Sequence, residues 1–306
     1  MRGMTEDPKD TDSPSPSKVS AHWGQARRLA FIDFRLRWDG RINRSDLTDV
    51  FGISVPQASL DIARYTELAP QNLEYDRSSR VYQATTNFHP LHTETQPNQY
   101  LNELLAATEG VLQSDASFIG WRPPADGVPR PGRAVAAETL AVLLKAIREA
   151  SGLKVIYQSM SRPAPSSRTI SPHAFAYDGF RWHVRAFCHT RKEFRDFVLG
   201  RILEVQGVQP AGEPASNDKA WNTILTLVLA PNPKLSPGGQ RAIALDYGMK
   251  NGEAELKCRQ ALLFYTLKRL GLDHQAQADV QAEVQQIVLK NQVDLAPYLT
   301  GSTETN

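Results

Sequence analysis

The chain has 306 residues, of which 41% are hydrophobic and 22% charged, and its net charge is +2. These values are ordinary for a globular protein of two or three domains. No apolar run approaches the roughly 18 residues that a membrane span requires, and the N-terminus lacks the apolar core of a signal peptide. The two cysteines form no CxxC pair, which argues against a disulfide framework or a zinc knuckle. We therefore expect a cytoplasmic protein.

Positive charge is concentrated in the middle of the chain. Residues 141–206 contain 11 Lys or Arg against 5 Asp or Glu, whereas residues 22–85 contain 9 against 8. A concentrated basic surface is typical of a protein with an anionic partner, and a solvated surface is the simpler alternative.

The N-terminal third is predicted to be helical after a polar tail. Residues 1–20 are rich in Pro and Ser and are expected to be disordered. Apolar residues at three- and four-residue steps then predict a helix over residues 21–39. A second, shorter helix is expected over residues 45–51, with Asn43 as its N-cap.

A third helix is predicted to begin after Ser54. This residue is a preferred N-cap, Pro56 fits the first turn, and Gln57 stands where a capping box places its second partner. At helical spacing, Val55, Ala58, Ile62 and Tyr65 share the side that we expect to be buried. The opposite, polar side is expected to carry Gln57, Leu60, Asp61 and Arg64.

A short hairpin is expected next, with its turn at residues 76–79. Three helices followed by a hairpin are typical of a winged helix-turn-helix, whose third helix enters the major groove of DNA. We assign residues 21–96 to this domain; a small helical bundle with a solvated polar face is the alternative. The predicted DNA contacts are Arg44, Ser54, Pro56, Gln57, Ser59, Leu60, Arg64, Arg77 and Arg80.

The rest of the chain divides into a connector and two further domains, which makes the fold class α+β. Residues 97–134 combine a helical stripe with a Pro-rich loop and are expected to form a helical connector. Residues 135–210 contain about five short strands, which predict a small SH3-like barrel. Residues 211–306 alternate strands with helices and form a C-terminal α/β domain.

Three stretches connect the chain to a known family. They are SVPQASLDIARYTELAPQNLEYD at 54–76, RTISPHAF at 168–175 and FRWHVRAFCHTRKEFRDFVLGRI at 180–202. With them, nearly all of residues 21–300 resembles bacterial WYL-domain transcriptional regulators, and in particular the BrxR/CapW group that controls phage-defence operons. The name-giving Trp-Tyr-Leu triplet is Trp182-His183-Val184 here. The resemblance implies a dimeric repressor with a winged helix-turn-helix, a ligand-sensing WYL barrel and a C-terminal dimerisation domain.

The resemblance also implies that the barrel binds an anionic effector, either a nucleotide or a nucleic-acid fragment. Arginine forks suit phosphate oxygens, and strand alternation puts Arg181, His183 and Arg185 on one side of their strand, where Arg195 and Arg201 can reach the same mouth. Ion pairs with nearby carboxylates, among them Asp178, Glu193, Asp196 and Glu204, are the structural alternative. The predicted effector contacts are Ser159, Arg168, His173, Arg181, His183, Arg185, Arg195 and Arg201.

No enzyme motif accompanies these features. The sequence lacks a GxxxxGK[ST] phosphate loop, an HExxH metal helix and a GxSxG nucleophile elbow. His183 and Cys188 would project to opposite faces of a strand, which argues against a metal site. We predict no cofactor, no catalysis and no membrane partner.

Two function classes remain after these exclusions. One is a homodimeric repressor that binds an inverted-repeat operator on double-stranded DNA and is released by its effector. The other is an accessory factor that processes RNA or single strands and uses the barrel as its binding surface. The capped third helix and its wing favour the repressor, since the second class does not require them.

Overall fold

The structure, a computed structural model, describes residues 16–92, 96–113, 117–129, 131–273 and 281–299. The chain forms two compact units, Met1–Pro129 and Arg130–Asn306. Within the described ranges, no helix combines the length and the apolar character needed to cross a membrane. Residues 1–15 of the predicted tail lie outside the description. The first helix begins at Pro16, so the last five residues of that tail are helical instead.

The first unit has the predicted order of three helices and a hairpin. The hairpin strands β2 and β3 pair antiparallel, and β1 adds to β3, so that the sheet order is β1-β3-β2. The elements are α1 (Pro16–Asp39), β1 (Arg41–Ile42), α2 (Arg44–Phe51), α3 (Val55–Leu68), β2 (Leu73–Asp76), β3 (Val81–Ala84) and α4 (Pro97–Thr108).

The core of this unit lies between α1 and α3. Phe31 and Ile32 of α1 are fully buried, as are Ala58 and Tyr65 of α3. The predicted buried side of α3 is therefore correct from its second turn onward. Val55, the first residue of the helix, was expected on that side but is 57% exposed.

The predicted connector packs back onto the first unit. Leu104 of α4 and Ile119 of the loop that follows are buried against Phe34 of α1. These contacts explain why the first compact unit extends to Pro129. Most of the segment 97–134 thus belongs to the first unit instead of linking two domains as a separate piece.

The second unit begins with a helix on a five-stranded antiparallel sheet. The sheet order is β7-β6-β5-β4-β8, with β7 and β8 at its edges. The pairings among the described residues do not close this sheet, so the SH3-like barrel stays a prediction. The elements are α5 (Ala137–Arg148), β4 (Gly152–Tyr157), β5 (Ser166–Tyr177), β6 (Trp182–Cys188), β7 (Glu193–Val198) and β8 (Ile202–Gln209).

One face of the sheet forms a core with α5. Leu143 of α5 is fully buried in the same hydrophobic cluster as Val184 and Ala186 of β6. Pro172 lies within β5, and the strand continues through a register shift between Pro172 and Ala174, which accommodates the missing N–H.

The C-terminal domain is a smaller layer of helices on a sheet of order β10-β9-β11. Leu227, Ile243 and Leu267 are in its core. The α/β alternation matches the prediction; Trp221 lies in a short helix just before the first strand. The elements are α6 (Lys219–Asn222), β9 (Ile224–Pro231), α7 (Pro237–Asp246), β10 (Ala254–Arg259), α8 (Leu263–Arg269), β11 (Ile287–Leu289) and α9 (Gln292–Leu299).

Candidate DNA-reading helix and effector site

The start of α3 is fixed by local hydrogen bonds. The Ser54 hydroxyl accepts the backbone N–H of Gln57 at 3.3 Å, and Pro56 stands in the first turn, where it needs no hydrogen-bond partner. Gly52 ends α2 with φ at +62°, a conformation that glycine adopts without strain. This sharp turn sets α3 off from α2, and it leaves Ser54 and Pro56 exposed at the helix end.

The Gln57 side chain belongs to a polar chain that ends in α1. Its Nε2 donates to Asp61 Oδ1 at 3.2 Å, so its amide does not close the predicted capping box. Asp61 was expected on the exposed polar side, but it is fully buried. Its carboxylate is paired with Arg28 Nε at 2.6 Å. A buried carboxylate needs such a partner, which the local pattern of α3 does not reveal.

Arg44 connects three elements of the first unit. Its Nε donates to Ser59 Oγ at 2.8 Å and its Nη2 to the Tyr82 hydroxyl at 2.8 Å. The Ser59 hydroxyl in turn donates to the backbone carbonyl of Val55 at 3.0 Å. Arg44 therefore holds α2, α3 and the hairpin together, and Ser59 retains acceptor capacity for a further partner.

Leu60 and Arg64 remain on the exposed side of α3, as predicted. Leu60 is 64% exposed. Arg64 pairs with Glu67 at 2.9 Å on the surface, an exposed ion pair that is weak enough to be exchanged for a phosphate.

The turn of the hairpin carries two exposed arginines, Arg77 and Arg80. It is organised by Asp76, whose carboxylate accepts hydrogen bonds from Ser78 and Ser79. These bonds lower the pKa of Asp76 to about 2, so the carboxylate is ionised at neutral pH. The turn thus presents its arginines from a fixed backbone.

In the second unit, Arg185 lies in a buried cluster of carboxylates. It donates to Asp218 at 2.7 and 3.0 Å and to Asp196 at 3.2 Å. His173 contacts Asp218 at 3.0 Å. Burial raises the pKa of Asp218, but the bonds from His173 and Arg185 outweigh it, and the net effect is a strongly lowered pKa. The residue is therefore an anion that balances the Arg185 cation.

A third carboxylate, Asp178, binds two residues near the start of β6. Asp178 pairs with His183 at 2.9 Å and with Arg181 at 3.2 Å. Burial raises the pKa of Asp178, yet the hydrogen bonds from His183 and the backbone N–H groups of Phe180 and Arg181 lower it overall. The buried His183 also lies against the Tyr265 ring of α8, with ring centroids 5.0 Å apart.

Three other predicted effector residues line a narrow pocket that we call the arginine pocket. It has a volume of about 20 Å³ and is bounded by Ser159, Arg168, Arg195 and Asp196, with Arg191 of the adjoining loop. Partial burial lowers the pKa of Arg168, and the positive charges of Arg162, Arg191 and Arg195 lower it further. Arg195 also pairs with Glu193 at 2.9 Å. Crowded cations of this kind favour a bound anion.

Arg181 and Arg201 line a different and larger cleft, of about 560 Å³, which we call the aromatic cleft. Arg133, just before α5, is its third arginine. The aromatic walls of the cleft are exposed; Phe180 is 62% and Trp182 51% accessible. The aromatic cleft therefore combines cations with flat apolar surface.

The eight predicted effector residues thus lie in three places and do not line one common cavity. His173, His183 and Arg185 are enclosed by carboxylates, as the ion-pair alternative anticipated for Asp178 and Asp196. Asp218 was missed because it lies 33 residues beyond Arg185, where strand periodicity gives no signal. Arg191 and Arg133 were also missed, although their charge next to predicted contacts was a usable signal.

Family models match all three domains of the chain. The BrxR transcriptional regulator winged helix-turn-helix domain matches residues 24–106, the WYL domain residues 138–206, and the BrxR C-terminal dimerization domain residues 224–295. A solved structure, proteasome accessory factor B/C (PafBC) of Arthrobacter aurescens, aligns with 90% of this chain at 15% identity and a TM-score of 0.28. This chain covers 45% of that structure, and a TM-score this low does not establish a shared fold.

Curated relatives match over nearly the whole length. The DNA-binding transcriptional repressor CapW of Escherichia coli (strain KTE188) is 48% identical over 95% of this chain and 97% of its own. CapW of Pseudomonas aeruginosa is 48% identical over 95% and 98%, and CapW of Stenotrophomonas maltophilia 46% identical over 94% and 96%. These matches confirm the resemblance read from the sequence: the chain belongs to the family of WYL-domain transcriptional regulators that includes BrxR and CapW.

Proposed function

We propose that this protein is a cytoplasmic repressor that binds an inverted-repeat operator as a homodimer and controls a phage-defence operon. In this proposal α3 enters the major groove, and the WYL domain, an SH3-like barrel, senses an anionic nucleotide or nucleic-acid fragment. The protein acts by binding and not by catalysis. The CapW relatives are named as DNA-binding transcriptional repressors, which supports the first part.

The observation that carries DNA binding is the surface formed by α3 and the hairpin. Gln57 offers an amide that complements adenine, and Ser59 retains an acceptor for a base edge. Exposed Arg64, Arg77 and Arg80 supply cations for the phosphates on either side. Arg44 fixes the position of the hairpin relative to α3, because its nitrogens donate to Ser59 of α3 and to the hairpin residue Tyr82.

Operator binding is tested by pull-down of host genomic DNA followed by footprinting. Gln57→Ala should weaken the base preference at one pair per half-site by about 1–3 kcal/mol. Arg77→Ala should weaken all sequences alike and reduce the dependence of binding on salt, because it removes a phosphate contact. If both variants bind as the wild type does, α3 and its wing are not the DNA-reading surface.

For the effector we propose the arginine pocket as the phosphate site. Partial burial lowers the pKa of Arg168 and the neighbouring arginines lower it further, so an anion there relieves repulsion as well as adding hydrogen bonds. By contrast, Arg185 already has two carboxylate partners. The aromatic cleft is the second candidate, since its aromatic walls could stack on a base beside Arg181 and Arg201.

Substitutions distinguish the arginine pocket from the aromatic cleft as the effector site. Nucleotides and short oligonucleotides are titrated against the wild type, Arg168→Ala and the double variant Arg181→Ala/Arg201→Ala, with and without operator. Arg168→Ala should lose the effector response, since a charge-assisted hydrogen bond contributes about 1.5–3 kcal/mol. All three proteins should bind the operator within a few-fold of each other.

The outcomes distinguish the alternatives. A response lost only in the double variant places the effector in the aromatic cleft and rejects the arginine pocket. Loss of operator binding by the folded variants would make the WYL domain part of the DNA interface. By linkage, an effector that weakens DNA binding must itself bind less tightly to the DNA complex.

A further inference from the structure

The Gln57 amide at the start of α3 is held in one of its two possible orientations. We infer that Asp61, itself held by Arg28, is a positioning residue that fixes how Gln57 presents its donor and acceptor to a base pair. This inference rests on the proposed role of α3 as the DNA-reading helix. It adds a buried carboxylate and a residue of α1 to the determinants of sequence specificity.

The orientation follows from which atoms can donate. Arg28 binds Asp61 through Nε at 2.6 Å and Nη2 at 3.3 Å, and Asp61 is fully buried. A carboxylate that is paired with a guanidinium is ionised, and it can only accept hydrogen bonds. The Gln57 atom that faces it at 3.2 Å must therefore be the amide nitrogen. The alternative orientation would set Oε1 against a carboxylate oxygen, two acceptors in contact.

This orientation leaves a defined pattern for the DNA. The amide nitrogen has two hydrogens, of which Asp61 takes one, so one N–H and Oε1 remain. In the major groove adenine offers an acceptor at N7 and a donor at N6, which complements that pattern. Guanine offers acceptors at both N7 and O6, so Oε1 would face O6. A fixed amide therefore favours adenine and rejects guanine at the same position.

The link to α1 explains why a helix that does not read bases would still affect specificity. Arg28 and Asp61 are 33 residues apart, and Arg28 covers the carboxylate with a side chain that is only 15% exposed. Without this partner, the buried Asp61 charge would be unstable. Arg28 thus holds in place the carboxylate that positions Gln57.

The direct test is Asp61→Asn. The introduced amide can donate as well as accept, so it can bind Gln57 Oε1 and allow the amide to turn its NH₂ group toward the DNA. Two N–H groups suit guanine. We expect the preference for adenine over guanine at the pair read by Gln57 to fall about tenfold, which corresponds to about 1.4 kcal/mol.

The measurement uses the full chain and operator duplexes that differ only at one pair. That pair is identified as the one at which Gln57→Ala loses its preference. Adding Asp61→Asn to Gln57→Ala should cause no further change in preference, since a positioning residue has nothing left to position. Glu67→Gln is the matched control: it makes the same carboxylate-to-amide change on the exposed part of α3, where Glu67 pairs with Arg64. It should leave the preference at this pair unchanged.

The results separate this inference from the proposed function. A folded Asp61→Asn protein with the full preference for adenine overturns the inference and leaves the repressor proposal intact. Unchanged preference in Gln57→Ala would overturn both the inference and the reading role of Gln57. If Asp61→Asn does not fold, Arg28→Lys replaces the fork that holds Asp61 by a single ammonium group. It should then lower the preference in part, and an unchanged preference in a folded Arg28→Lys protein contradicts the inference.

Discussion

At the scale of single residues, Arg185 of β6 is held by ion pairs within the fold. Arg185 is 7% exposed and bonded to two carboxylates. Removing one partner from such a buried group costs about 3–5 kcal/mol, because the other charge is left without compensation. The ion pair between Arg185 and Asp218 also connects the WYL sheet to the chain just before α6, which begins at Lys219. Arg185 therefore contributes to the stability of the fold through these ion pairs.

The lowered pKa of Asp218 gives this stabilisation a predictable pH dependence. A carboxylate whose folded pKa lies below its unfolded value, about 3.9, stabilises the fold above that value. The contribution is lost as the pH falls through the lower, folded pKa. Asp218→Asn should therefore be less stable than the wild type by about 3–5 kcal/mol at pH 7. It should also lose less stability than the wild type below about pH 4.

Urea titrations between pH 7 and pH 3 measure this effect, with unfolding of the second unit followed through hydrogen exchange in β6 peptides. Asp76→Asn is the control: it makes the same change in the first unit, at a carboxylate whose pKa is also low. The control should leave exchange in β6 unchanged. Parallel pH curves for Asp218→Asn and the wild type would contradict the assignment of Asp218 as the ionised partner of Arg185.

At the scale of elements, the sequence predicted α3 well because its signals are local. Ser54 and Pro56 mark its start, and the spacing of Ala58, Ile62 and Tyr65 marks its buried side. The error at Asp61 has a different origin. Its partner Arg28 is in another helix, and no periodicity within α3 shows that a carboxylate there is buried and paired.

The strand β6 shows the same limit of sequence periodicity, which does not reveal partners from other elements. Alternation puts Trp182, Val184, Ala186 and Cys188 on one side of β6; the last three are in the core, whereas Trp182, at the start of the strand, is exposed. The opposite side was expected to form an open cationic mouth, but it is covered by carboxylates from a turn, a neighbouring strand and the chain before α6. Sequence alternation separates the two faces of a strand. It does not show what packs on each face, and that decides whether an arginine is a ligand contact or half of an ion pair.

At the scale of the whole molecule, the domain order was predictable, while the partner surface needs the three-dimensional structure. Residues 224–295 match a dimerization domain. In that range Leu245, Val284 and Val293 are 82%, 76% and 85% exposed. Exposed apolar residues indicate a partner surface where they adjoin one another. One reading helix of 14 residues per chain makes too few base contacts for useful specificity alone, which favours a dimer on DNA.

A two-fold dimer fixes the geometry of its operator. Two copies of α3 related by a two-fold axis require two half-sites of opposite orientation, with centres about one helical turn, or a multiple of it, apart. Gel-shift titrations on the intact operator and on a single half-site, together with light scattering of the free protein, test this expectation. The dimer should bind the intact operator far more tightly than a single half-site. Once one half-site is bound, binding of the second is intramolecular.

Changing the spacing tests the symmetry itself. Inserting 5 base pairs between the half-sites rotates one of them by about half a turn, which moves it to the opposite face of the duplex. Affinity should then fall to that of a single half-site. An insertion of 10 base pairs returns both half-sites to the same face of the duplex. It should recover part of the affinity, to the extent that the dimer can span the longer distance. Equal affinity for the half-site, the intact operator and both insertions would mean that each chain reads DNA independently.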